Sequence, residues 1–165
     1  MNMTARRRKF ALTAHVTSSV GWFGAVAGFL ALAIAGAISQ DAQMMRVAYL
    51  AMDLTYWYVI VPFGFASLLT GLVSSLGTEW GLFRHYWVLV KLLLTIPLTI
   101  LLLVHTQPVG YMAGEGVQRT LSGADPDWLR IQLAAYAGAA LLVLLVATIL
   151  SVYRPRGMTG YGARG

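Results

Sequence analysis

Between His85 and His105 the chain runs HYWVLVKLLLTIPLTILLLVH, nearly all Leu, Val, Ile and Thr, with one lysine, Lys91. About twenty residues at a 1.5 Å rise cover roughly 30 Å, the thickness of a bilayer's hydrocarbon core. A run of that length and character folds as a helix that satisfies its own backbone, and in lipid no other single-segment solution exists. Three more stretches match it: Phe10–Ile38, Val47–Leu72 and Trp128–Tyr153. The expected fold is therefore all-α, a polytopic membrane protein built as a four-transmembrane-helix bundle. Its crossings are expected over about 10–38, 47–72, 83–107 and 128–153. A basic N-terminus, 1–9, precedes the 10–153 domain, and a glycine-rich tail, 154–165, follows it as a disordered segment.

Composition agrees where it bears on this. The chain is 58% hydrophobic and 11% charged, less than half the charged fraction of an ordinary soluble domain, about 25%. The formal net charge of +6 does not indicate nucleic acid, because the basic residues cluster at the chain ends and in one loop. Arg6, Arg7, Arg8, Lys9, Arg84, Lys91, Arg154, Arg156 and Arg164 fall on one side of a four-crossing topology, and Arg46, Arg119 and Arg130 on the other. That bias places both termini on the cytoplasmic side of the membrane. The first apolar stretch exceeds the 7–15 residues or so of a signal peptide's apolar core, so it reads as a retained helix. With no cysteine, thiolate metal sites and thiol catalysis are excluded. No phosphate loop, HExxH, nucleophile elbow or 20–50-residue repeat is present, so enzymatic chemistry is not expected.

Packing is expected along small residues. Thr17, Gly21, Gly24, Gly28, Ala31 and Ala35 recur at steps of three and four, leaving one face of the first helix nearly bare. On the second helix Asp53, Trp57, Gly64, Ser67, Gly71 and Ser74 share a face. Pro62 and Pro97 free the carbonyls of Tyr58 and Leu93, and two kinks at similar depth can open a small cavity, although membrane helices commonly absorb single prolines. The connection 106–124 contains GEGVQRTLSG, which can form a short surface helix, and Asp125-Pro126-Asp127 carries a helix-start signal.

Ionisable groups inside an apolar bundle are costly and are the default site candidates. Sorted by depth they form two groups. Near the terminal end lie His15, Ser18, Ser19, Ser67, His85 and Lys91; near the other end lie Asp53, Tyr56, His105, Gln132 and Tyr136. His85 and His105 are about 200° apart around one helix and cannot serve one site. His15 and His85 come from different helices at similar depth. Such a pair supplies the two axial ligands of a b-type haem, with nearby hydroxyls bonding the second ring nitrogens. This makes the chain an electron-transfer candidate with haem b as its cofactor, and no metal beyond the haem iron. Two alternatives remain open. Asp53 and His105 read as an intramembrane polar pair, either a structural hydrogen bond or the relay of a proton-coupled small-solute transporter. The chain can equally be a non-catalytic accessory subunit of a membrane complex, held by lipid and by a membrane partner or a second copy. Lys91 is expected to snorkel to the headgroups.

The run AHVTSSVGWFGAVAGF, with His15 followed by Gly21-Trp22-Phe23-Gly24, resembles the first helix of small bacterial integral membrane proteins of unknown function. More remotely it is similar to the membrane domain of copper-resistance D-type proteins. SLLTGLVSSLGTEWGLFRHYWVLVKLLLT resembles the same family, so the likeness covers about residues 9–107. It implies a small helical protein of a bacterial cytoplasmic (inner) membrane and no particular activity. A copper role would require Met or Cys ligands; there is no cysteine, and the methionines are not arranged as a site.

Overall fold

The computed structural model describes residues 4–76, 86–104, 106–116 and 128–153. The helix-start signal at 125–127, most of GEGVQRTLSG and the tail 154–165 lie outside the described residues. Within them the chain is all helical, with no strand. Helix α1 is Ala5–Ile38 and α2 is Ala42–Thr55. A π-helical turn, Tyr56–Ile60, joins α2 to α3, Val61–Leu76. Helix α4 is Tyr86–Val104, α5 is Thr106–Tyr111, a second π-turn covers Met112–Gly116, and α6 is Trp128–Tyr153. Four helical spans, Ala5–Ile38, Ala42–Leu76, Tyr86–Gly114 and Trp128–Tyr153, are long and apolar enough to cross a membrane.

Local chemistry sets the boundaries. Asp41 caps α2, its carboxylate accepting from the Gln43 N–H at 3.0 Å. The π-turn follows from Pro62. Proline has no N–H for the Tyr58 carbonyl, and the ladder slips by one residue so that the Val61 N–H bonds to the Tyr56 carbonyl. The second crossing therefore remains continuous from Ala42 to Leu76 instead of breaking at the proline.

Helix α1 packs against α2, α3 and α6, while α4 packs against α6 and α3. The four spans thus close into a ring, with α1 diagonally opposite α4. The buried edge of α1 includes Ser18, Trp22, Val26, Phe29, Ala33 and Gly36, at steps of four and three. Facing it are Met45, Tyr49, Met52, Tyr56 and Ile60, with Leu98, Leu133, Ala137 and Leu144 from the last two spans. The helical span continues past α4 through α5 and the second π-turn to Gly114, and this part packs against α2, where Val109 and Met112 are buried.

The small-residue stripe of α1 serves as a bundle seam only in part: Gly21 packs against Phe63, whereas Gly24 and Gly28 meet no neighbour. A methyl group placed on Gly24 or Gly28 would meet nothing within 4 Å. Bundle packing uses the large-residue edge instead, and glycines matter where a large side chain crosses them. A Cβ on Gly21 would stand 2.8 Å from the Phe63 ring, one on Gly36 2.9 Å from Tyr49 Cζ, and one on Gly64 3.3 Å from Trp22 Cε2.

Candidate functional site

A polar cluster lies at the terminal end of the bundle, in helical segments whose outward faces carry Leu12, Val16, Leu69, Leu93 and Val152. Its centre is His15 on α1. The imidazole Nδ1 is 3.0 Å from the Ser67 carbonyl oxygen and 3.3 Å from Thr70 Oγ1, both on α3. A carbonyl oxygen only accepts, so Nδ1 carries the hydrogen and Nε2 presents a lone pair. Lys91 Nζ sits 3.2 Å from that Nε2, and also donates to Ser151 Oγ at 2.8 Å. Lys91 thus reaches from α4 across the ring diagonal to α1 and touches α6 on the way. This differs from the snorkelling conformation expected of a lysine near a helix end. Two good acceptors inside the bundle hold the ammonium there.

Hydroxyls complete the cluster. Ser18 Oγ donates to the Ala14 carbonyl at 2.8 Å and lies 3.4 Å from Thr70 Oγ1. Ser19 and Ser67 share a hydrogen bond of 2.8 Å between α1 and α3. Thr70 and Ser151 each return a bond to the carbonyl four residues back, at 2.5 and 2.8 Å. Gly71 makes the arrangement sterically feasible, since a Cβ there would lie 2.9 Å from His15 Cε1. The glycine read from the sequence as a packing residue is in fact the wall against which the imidazole rests.

Of the residues expected at this end, His15, Ser18, Ser19, Ser67 and Lys91 are brought together. His85, the second residue of the haem pair, lies outside the described residues. Thr70 and Ser151 were missed by sequence reading. Both stand among many Ser/Thr residues in apolar helices, and only their height relative to His15 and Lys91 distinguishes them.

Of the group expected at the other end, the described members are placed as follows. Asp53 is half-buried on α2, its Oδ1 4.0 Å from the position of a Cβ on Gly110. Tyr56 donates its hydroxyl hydrogen to the Leu102 carbonyl. Gln132 Nε2 donates to Tyr136 Oη at 2.7 Å along α6. His105 lies outside the described residues. The dominant interaction at this end is one the sequence did not reveal. Arg130, on α6, places its guanidinium NH2 2.9 Å from the Gly36 carbonyl, 2.5 Å from that of Ala37 and 3.1 Å from that of Ser39. It caps the C-terminus of α1, where carbonyls lack intrahelical partners and the helix dipole is negative.

Between the two ends a cavity of about 80 Å³ opens, walled by Trp22, Phe29, Tyr56, Ile60, Leu98 and Leu133. Its lining includes Ile60 and Leu98, near Pro62 and Pro97 in the chain. Its walls are apolar, and it shares no residue with the His15 cluster. Among the described residues no group of three or more His, Asp or Glu side chains is placed to hold a metal ion. No family model, curated protein or solved structure matches the chain.

Proposed function

We propose that the chain is a small integral membrane protein of the bacterial inner membrane, with both termini cytoplasmic, whose working group is the His15–Lys91 pair. The pair exchanges a proton as part of a proton-coupled transport path. The observation that carries this reading is the bonding of the imidazole: Nδ1–H to the Ser67 carbonyl at 3.0 Å and Nε2 to Lys91 Nζ at 3.2 Å. With the proton on lysine, the ammonium donates to Nε2. With the proton on histidine, Nε2–H donates to the amine. The Ser67 carbonyl and the Ser151 hydroxyl accept in both states, so the proton moves without any other partner changing. Thr70 Oγ1, 3.3 Å from Nδ1, offers the next hydroxyl on the path. This relocates the proton-coupled alternative from Asp53 and His105 to the terminal end of the bundle.

The test is potential-driven proton uptake into proteoliposomes carrying an internal pH dye. Uptake is expected in the native protein and in Asp53→Asn, and is expected to vanish in His15→Gln. Native uptake in His15→Gln would refute the reading.

A second reading has one specific observation in its favour. A histidine whose Nδ1–H is tied to a backbone carbonyl is oriented as iron-ligating histidines are, with Nε2 as the ligand atom. Haem b between His15 and His85 requires Lys91 to withdraw from Nε2. Protein from cells supplied with haem precursor would then be red, with bands lost in His15→Ala and His85→Ala and kept in His105→Ala. A colourless preparation eliminates it.

A further inference from the structure

The apolar cavity between the two ends of the bundle has a way out. Its inner walls, Trp22, Phe29, Ile60 and Leu98 among them, are buried, whereas Leu101 on α4 and Tyr136 on α6 are exposed. Those two helices are neighbours in the bundle. The cavity therefore opens sideways, between α4 and α6, and not toward either end. Its height is set by all four spans. Trp22, Ile60, Leu101 and Ala140 each stand at or next to the midpoint of their own helical span. In a bilayer crossed by these spans, mid-height is the zone of acyl-chain ends, about 15 Å from either headgroup layer. No water is available there to fill a void.

Size and chemistry narrow the occupant further. At about 80 Å³ the cavity is roughly half the 150 Å³ or so of an apolar pocket that takes a benzene ring. A ring does not fit; the last carbons of a linear chain do, with the rest trailing out through the opening. The hydroxyls on the lining side chains already have partners. Tyr56 donates to the Leu102 carbonyl, and Tyr136 Oη accepts from Gln132 Nε2 at 2.7 Å. The indole Nε1 of Trp22 lies beside Gly64 on α3, 3.5 Å from the position of a Cβ there, and Gly64 is not a wall residue. Tyr56 and Ile60 mark the two ends of the π-turn, an irregularity that recurs at functional sites.

We propose that this cavity binds the terminal carbons of one phospholipid acyl chain, which enters from the bilayer between α4 and α6. The chain end restores dispersion contacts that the wall atoms forfeit around a void. A phospholipid is the occupant because it is the solvent at this depth, and a site of even low affinity fills by mass action. The inference rests on the chain being an integral membrane protein, and is independent of proton exchange at His15.

The experiment uses the full chain in bilayers of phosphatidylethanolamine and phosphatidylglycerol. One preparation contains a trace of phospholipid with a photoactivatable diazirine at the end of one chain; a second carries the diazirine beside the glycerol. After irradiation, labelled residues are located by mass spectrometry. The chain-end probe is expected to label Leu98 and Leu133, which are buried and reached only through the cavity, as well as the outward-facing Leu103 and Leu142. The glycerol-side probe is expected to leave Leu98 and Leu133 unlabelled. Ala137→Leu adds three carbons at the cavity wall. It is expected to cut labelling of Leu98 and Leu133 by about tenfold or more, because a filled site leaves a chain no volume. Labelling of Leu103 and Leu142 should stay as it is in the native protein. Ala140→Leu replaces this variant should Ala137→Leu lose its helical circular dichroism. Labelled Leu103 and Leu142 with unlabelled Leu98 and Leu133 overturns the proposal and leaves the membrane reading standing. Wall labelling that persists in the filled variant, or that the glycerol-side probe matches, overturns it as well. Absence of label at all four positions removes the membrane reading together with the proposal.

Discussion

Arg130→Ala is the perturbation with the largest expected effect on the fold. One guanidinium nitrogen approaches three carbonyls, those of Gly36, Ala37 and Ser39, at 2.9, 2.5 and 3.1 Å. That nitrogen carries two hydrogens, so the three contacts amount to about two full bonds shared among three acceptors. Hydrogen bonds to a charged group contribute about 1.5–3 kcal/mol each, and a cation at a helix C-terminus adds about 0.3–1 kcal/mol. Water at this end of the bundle can re-satisfy part of what is lost, which favours the low end of the range. The expected loss is about 3 kcal/mol. Arg130→Lys keeps the charge near the dipole and loses the planar fork, so roughly half that cost is expected. The assay is reversible unfolding in mixed micelles of mild detergent and dodecyl sulfate, followed by ellipticity. A loss below about 1 kcal/mol for Arg130→Ala would refute the cap, because no combination of two charge-assisted bonds is that weak. Equal losses for lysine and alanine would refute the dipole part of the argument.

Two further outcomes are expected. Gly71→Ala places a methyl 2.9 Å from His15 Cε1, so the ring must turn away from both Ser67 and Lys91; stability should fall by about 1–3 kcal/mol, and proton uptake in proteoliposomes should fall with it. Gly28→Leu, where a Cβ meets nothing within 4 Å, should leave unfolding within about 0.5 kcal/mol of the native protein, and a larger loss in the same micelle assay would mean that this face is packed.

The helices were readable because each announces itself by length and apolarity, which depend on no neighbour. Helix partners were less readable. Helix α1 carries two stripes, small residues through Gly24 and Gly28 and large ones through Trp22, Val26, Phe29 and Ala33, and the sequence spells both equally well. A small stripe is the common contact surface between helices in lipid, yet the bundle interior had to be filled by volume, and only the large stripe supplies it. Lys91 was misplaced for a related reason. Snorkelling depends on depth, which the sequence gives, whereas turning inward depends on finding His15 on α1 and Ser151 on α6 at the same height. The contact of Arg130 with the end of α1 left no signal because the acceptors there are backbone carbonyls, and a carbonyl has no letter in the sequence.

The two ends of the bundle each hold a cation, and their partners assign them different work. Arg130 faces three carbonyl oxygens, which accept hydrogen bonds and do not take up a proton under ordinary conditions, and a guanidinium keeps its charge in proteins. Neither the guanidinium nor these carbonyls change state, so the interaction is a fixed strut between α6 and the end of α1. Lys91 faces an imidazole nitrogen, an acceptor with a lone pair that can bind a proton. The ammonium is the more adaptable of the two cations, able to lose its proton when its surroundings favour the neutral amine. A strut placed at the terminal end would have been better built with arginine and carbonyls, as the other end is. Using lysine against histidine, with hydroxyls that can donate or accept in either state, makes sense where the proton has to move.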